Sequence, residues 1–88
     1  MHRRLFMNVS LKFRTGEILK GIRDGLYSVP DGCTIREALD TAVSENRMVL
    51  ADHDREYLFV LCNNRSAEWE DTMKDGDKLW ILFKILGG

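Results

Sequence analysis

The sequence closes on Gly87-Gly88, and a terminal carboxylate on such a thread has the most distinctive chemistry of any group in the chain. A free carboxylate is a poor electrophile, because its negative charge repels nucleophiles and oxide is a poor leaving group. Adenylation by ATP changes both: AMP departs readily and the carbonyl regains its reactivity. Two residues without Cβ atoms form a thin, flexible thread that enters a narrow active site and leaves the carbonyl unshielded. Terminal residues are also ordinarily frayed and without function, so Gly-Gly by itself makes no case.

The remaining reactive side chains do not assemble into a site. His53 stands between Asp52 and Asp54, but consecutive residues on one loop seldom converge on a metal, and a solvated loop is expected. Cys33 precedes a helix start, where a thiolate would be favoured; nothing beside it looks like a base, so packing is its expected role. With Cys62 it makes only two cysteines, too few for a usual zinc or iron–sulfur site. Both are expected as reduced thiols in a cytoplasmic protein. Trp69, among Glu68, Glu70 and Asp71, is expected as a partly buried turn anchor. No Ser-His-Asp set, phosphate loop or carboxylate pair stands out. The chain therefore reads as something enzymes act on, not as an enzyme with its own pocket.

The elements that must position the tail follow from periodicity. Val9, Leu11 and Phe13 alternate with Ser10, Lys12 and Arg14, which predicts a half-buried strand. Residues 17–25, with two glycines and three separated apolar residues, predict an irregular turn or wide hairpin loop. Leu26 to Val29 is a short second strand, antiparallel to the first, closed by the turn chemistry of Pro30-Asp31-Gly32. Thr34 followed by Glu37 is a capping box. Behind it Ile35, Ala38, Leu39, Ala42 and Val43 form one apolar helical stripe, with the helix running to about Arg47. Residues 51–56 predict a charged loop, Tyr57 to Cys62 a third strand, and residues 63–66 a turn. Asp75-Gly76-Asp77 is a tight turn, and Lys78 to Ile85 is the last strand.

Eighty-eight residues make a single domain, 1–88, with residues 1–7 as an N-terminal extension, Met7 as an alternative start, and 86–88 as a flexible tail. Thirteen basic and 14 acidic residues leave a net charge of −1, which argues against nucleic-acid binding driven by bulk charge. No apolar run approaches the ~18 residues of a membrane span, and no signal core follows the basic start. A single helix among short strands predicts an α+β layer pair: a mixed sheet of four to five strands with one helix packed across one face. With the first and last strands as parallel central neighbours, this is the β-grasp arrangement of ubiquitin.

The segment Thr72-Met73-Lys74-Asp75-Gly76-Asp77-Lys78-Leu79, an apolar strand and Gly87-Gly88 resemble the ending of the MoaD/ThiS family. That family comprises the small subunit of molybdopterin synthase and the sulfur carrier of thiamine synthesis. Val29-Pro30-Asp31-Gly32-Cys33-Thr34-Ile35-Arg36-Glu37-Ala38-Leu39 is similar to the family's helix start, and Asn8 to Phe13 to its first strand. Two departures stand out: Asn63-Asn64 where Asn-Gly is common, and Phe83-Lys84 where the molybdopterin branch often has two prolines. The resemblance implies adenylation of Gly88 by a ubiquitin-activating-type adenylyltransferase, then thiocarboxylate formation with sulfur from a sulfur donor enzyme. Delivery would follow to a synthase large subunit in molybdopterin synthesis or to a thiazole synthase. The chain itself is expected to bind no cofactor, ATP and sulfur being handled by the partner enzymes. A ubiquitin-like protein modifier and a non-catalytic β-grasp interaction module are the alternatives.

Apolar excess supplies a second candidate feature. If Val60, Cys62, Leu79 and Ile81 face the core, then Phe59, Leu61, Trp80 and Leu82 face outward, with Phe83 and Ile85 continuing toward the tail. So contiguous an apolar patch suggests a partner-binding face, and Trp is enriched among interface hot spots.

Overall fold

The computed structural model describes residues 5–84. Among them run β1 (Phe6–Arg14), β2 (Gly25–Pro30), α1 (Ile35–Glu45), the short α2 (Asp52–Arg55), β3 (Leu58–Cys62), β4 (Arg65–Ala67) and β5 (Lys78–Phe83). The strands form one mixed sheet in the order β2-β1-β5-β3-β4. β1 and β5 are parallel, with Leu11 opposite Leu79 and Phe13 opposite Ile81. The other three pairings are antiparallel. This is the ubiquitin-like β-grasp fold. No helix among the described residues is long and apolar enough to cross a membrane.

Alternation in β1 buries Met7, Val9, Leu11 and Phe13 and leaves Phe6, Asn8, Lys12 and Arg14 exposed. Tyr27 and Val29 of β2, Leu58 and Val60 of β3, and Leu79 and Ile81 of β5 extend the same buried layer. The stripe Ile35, Ala38, Leu39, Ala42 and Val43 of α1 packs against it. At 0% exposure, Leu39 is a side chain whose truncation to Ala costs about 2–5 kcal/mol.

The start of α1 is fixed as expected. Thr34 Oγ1 accepts from the Glu37 amide at 3.1 Å, and Glu37 Oε1 accepts from the Thr34 amide at 2.9 Å. Its end is tighter than expected. Arg47 takes a left-handed φ of 56°. Its amide donates to Ser44 O and that of Met48 to Val43 O, the paired bonds of a Schellman turn. Asn46 then reaches back: its Nδ2 donates to the Tyr27 hydroxyl at 2.8 Å, giving that buried phenol a partner on the helix.

Three local expectations differ from what folds. β1 begins at Phe6, and Met7 is 2% exposed core. Residues 52–55 wind into one helical turn rather than a loop, with Arg55 paired to Asp40 of α1 at 2.8 Å. Only Asn63-Asn64 forms the turn after β3; both have positive φ, 52° and 68°, as a two-residue type I′ hairpin requires. Arg65–Ala67 continue as the edge strand β4, pairing with β3 from Cys62↔Arg65 to Val60↔Ala67. The irregular loop between β1 and β2 covers one end of the core by burying Leu19.

Candidate functional site

The topology places the tail. β5 lies at the sheet centre, between β1 and β3, and runs toward the C-terminus. Its last described anchor is the Lys84 amide, which donates to Tyr57 O at 2.7 Å. Beside it the rings of Tyr57 and Phe83 stack with centroids 6.2 Å apart. Gly87 and Gly88, with Ile85, lie outside the described residues.

Strand parity sorts the rest of the predicted face. Val60, Leu79 and Ile81 are buried and Cys62 packs against the core. Phe59, Leu61, Trp80 and Leu82 occupy the opposite rows. The β3–β5 register sets Phe59 against Leu82 and Leu61 against Trp80, so the four are cross-strand neighbours. Phe59 is exposed and the other three are half-buried. Phe83 belongs by alternation to the row of Leu79 and Ile81, but lies beyond the core and is 43% exposed.

What covers part of this ridge is charge. The β1–β5 register puts Lys12 opposite Trp80 and Arg14 opposite Leu82. Lys12 Nζ stands 5.2 Å from the Trp80 ring centroid and Arg14 Cζ 5.4 Å from it, both at cation–π range. Arg14 also pairs with Asp24 at 3.1 Å. Burial alone would raise the Asp24 carboxyl, but the Phe13 amide donating to it at 2.8 Å and the Arg14 guanidinium hold it below its ordinary value. Sequence reasoning assigned Lys12 and Arg14 to the polar side of β1. Their place over Trp80 needed the parallel register. A second apolar group went unnoticed in the sequence: Phe6 and Leu26 are 58% and 68% exposed, and Phe6 is paired with Pro30 on the β1–β2 half of the same face.

The remaining candidates sit apart from both features. Cys33 and Cys62 are unpaired. Burial, and after it the carboxylates of Glu37 beside Cys33 and Asp77 beside Cys62, push both thiols up, away from nucleophilic thiolate. His53 is exposed, with its Nε2 3.3 Å from an Asp54 carboxylate oxygen. Among the described residues no three His, Cys, Asp or Glu gather where they could hold a metal ion. Trp69 packs against the core, and its carbonyl accepts from the Arg36 amide at 2.9 Å. It walls a depression of about 300 Å³ with Arg36, Asp52, Arg55 and Glu56. Arg36 is paired with Glu70 and Arg55 Nη2 with Asp40, while Arg55 Nη1 is buried without a hydrogen-bond partner.

A scan against protein-family models finds no match. A search of curated proteins also finds none. Solved structures do match. A crystal structure of SAMP1 from Haloferax volcanii aligns with a TM-score of 0.63 at 19% identity, over 92% of this chain and 99% of that one. Another, of H. volcanii small archaeal modifier protein 1, aligns with a TM-score of 0.67 at 20% identity, over 90% and 99%. At these identities the likeness is one of fold, and it extends over nearly the whole domain.

Proposed function

We propose that this chain is a ubiquitin-like carrier whose Gly88 carboxyl is activated by a ubiquitin-activating-type adenylyltransferase. The observation that carries the proposal is the position of β5. A strand hydrogen-bonded on both sides at the sheet centre holds the chain through Lys84, and the Gly-Gly sequence follows after two more residues. Gly87-Gly88 carries no Cβ atoms, which suits entry into a narrow adenylation site.

In the first step a Gly88 carboxylate oxygen attacks the α-phosphorus of ATP and pyrophosphate leaves. In the second, a persulfide sulfur on the donor enzyme attacks the acyl carbon and AMP leaves, giving an acyl disulfide. A thiol then cleaves the sulfur–sulfur bond, releasing the Gly88 thiocarboxylate. The chain supplies the carboxyl, the thread and the docking surface; the partners supply nucleotide site, metal and base. Phe59, Leu61, Trp80 and Leu82 form that docking surface, and Phe83, exposed in the opposite row of β5, flanks the way to the tail. The acceptor is molybdopterin synthesis, in line with the MoaD/ThiS-like motifs, the thiamine pathway coming next.

A protein modifier is the second reading, favoured by the likeness to the crystal structure of H. volcanii small archaeal modifier protein 1. The two share activation and part at the nucleophile. Intact mass spectra of the protein purified from its native host separate them. Oxygen-for-sulfur exchange on the whole chain, trapped by alkylation, is the result expected. Isopeptide conjugates alone would transfer the chain to the modifier class. Adenylation that persists after deletion of Gly87-Gly88 would end both readings.

A further inference from the structure

The acidic residues of this chain are excluded from its strands. All 14 Asp and Glu lie in helices, turns and loops, while the strands carry Lys12, Arg14, Arg65 and Lys78. Three of these cations share the outer face. Lys12 and Arg14 stand opposite Trp80 and Leu82, and Lys78 is in the β5 row of Trp80 and Leu82. The other polar residues in those rows, Asn8, Ser10, Ser28 and Ser66, are neutral. A chain of net charge −1 thus presents an apolar ridge with a cationic margin. Arg14 is partly neutralised by Asp24. Lys12 and Lys78 form no ion pair among the described residues; Lys12 rests over the indole, near enough to Asp24 to help hold that carboxyl down.

From this segregation we infer that the outer face docks a protein surface with an apolar centre flanked by carboxylates, and that Lys12 and Lys78 steer the encounter. Complementary charge raises association rates and fixes register more than it raises final affinity. Phe59, Leu61, Trp80 and Leu82 provide the apolar contact, and the two lysines select which apolar surfaces are approached. A carboxylate that takes up Lys12 also draws the ammonium off the Trp80 ring and opens the indole to the partner. Nucleic acid fits less well. Two lysines outside ion pairs neutralise too few phosphates to hold a strand.

The choice of probe rests on the proposed function: the ubiquitin-activating-type adenylating enzyme encoded in the same genome. Its association with the chain is followed by stopped flow from about 25 to about 500 mM NaCl, across the range where screening becomes complete. The expected result is an association rate that falls about tenfold or more with salt. Lys12→Glu with Lys78→Glu should lower the low-salt rate about tenfold and flatten its salt dependence. Lys20→Glu with Lys74→Glu makes the same change in net charge off the strands and should behave as wild type. Circular dichroism checks that both variants keep the fold. Equal behaviour of the two double variants would overturn the steering role while leaving the carrier reading intact. Absence of binding by the wild-type chain would overturn that reading and this surface with it. Tighter binding to a single-stranded RNA oligonucleotide, lost in the Lys12/Lys78 variant, would give the face to nucleic acid and overturn the inference.

Discussion

Asn63 and Asp77, on two turns far apart in sequence, are joined by a hydrogen bond from Asn63 Nδ2 to Asp77 Oδ1 at 2.9 Å. The Asn63 oxygen also accepts from the Lys78 amide at 3.0 Å. One carboxamide therefore ties the β3–β4 turn to the start of the central strand, from a residue whose φ of 52° suits Asn better than most side chains. Asn63→Ala should cost about 1–3 kcal/mol, through an orphaned amide and a strained backbone together. Asn64→Gly, at φ 68°, should instead stabilise by up to about 1 kcal/mol, since Asn-Gly is the preferred type I′ pair. Urea unfolding midpoints of the two variants, moving in opposite directions, check this.

Leu39 and Trp80 should separate folding from binding. Leu39→Ala removes a fully buried side chain and is expected to cost about 2–5 kcal/mol of stability. Trp80 is half-buried, so Trp80→Ala should cost less stability than that while weakening capture by the adenylating enzyme by about 1–3 kcal/mol. Parallel thermal melts and equilibrium binding assays provide the comparison. A Trp80 variant as unstable as the Leu39 variant but unimpaired in binding would remove the indole from the docking surface.

Asp24 gives the domain an acid-sensitive tie between the end of β1 and the start of β2. Its carboxyl is held below the ordinary 3.8 in the folded state, so the fold binds protons there less readily than the unfolded chain does. The stabilisation is therefore fully present above the unfolded value and disappears as pH falls through the folded one. Because the Arg14–Asp24 pair is largely exposed, the contribution should stay below about 1 kcal/mol. Asp24→Asn should lower stability at neutral pH, and its deficit relative to wild type should shrink below about pH 4. Chemical denaturation at a series of pH values reads the convergence; a deficit that grows on acidification would contradict it.

Arg47 occupies the left-handed position that ends α1, where Gly is the residue without a steric penalty. Arg47→Gly should stabilise by up to about 1 kcal/mol, the relief of strain exceeding the entropy added to the unfolded chain. The same denaturation assay tests it, with Arg47→Ala as the reference that keeps the Cβ.

Much of this architecture is written in local chemistry. The Thr34–Glu37 box, the stripe from Ile35 to Val43 and the alternation from Val9 to Phe13 each fix an element without reference to the rest. The parity of Phe59, Leu61, Trp80 and Leu82 was readable for the same reason, since alternation within a strand is a property of that strand alone. β4 escaped notice because Arg65-Ser66-Ala67 is a short edge strand with no buried row to leave an apolar signature. α2 escaped because four residues are too few to show a helical period. The cations over Trp80 were hidden by a different cause. Lys12 and Trp80 become neighbours only through a parallel pairing between the two ends of the chain, and no window on the sequence contains both.

That pairing also bears on biosynthesis. β5 is the seam between two antiparallel halves, β2–β1 and β3–β4, which have no other hydrogen-bonded strand contact among the described residues. It is also the last of the five described strands to be synthesised. Until it arrives, a nascent chain holds two separate hairpins and a helix with half a surface to lie on, none of them stable alone. Closing the sheet must span almost the full sequence, which slows the step and leaves it to the end. Translation thus imposes a timetable: the body that presents the terminal thread exists only once the strand leading into that thread has been made.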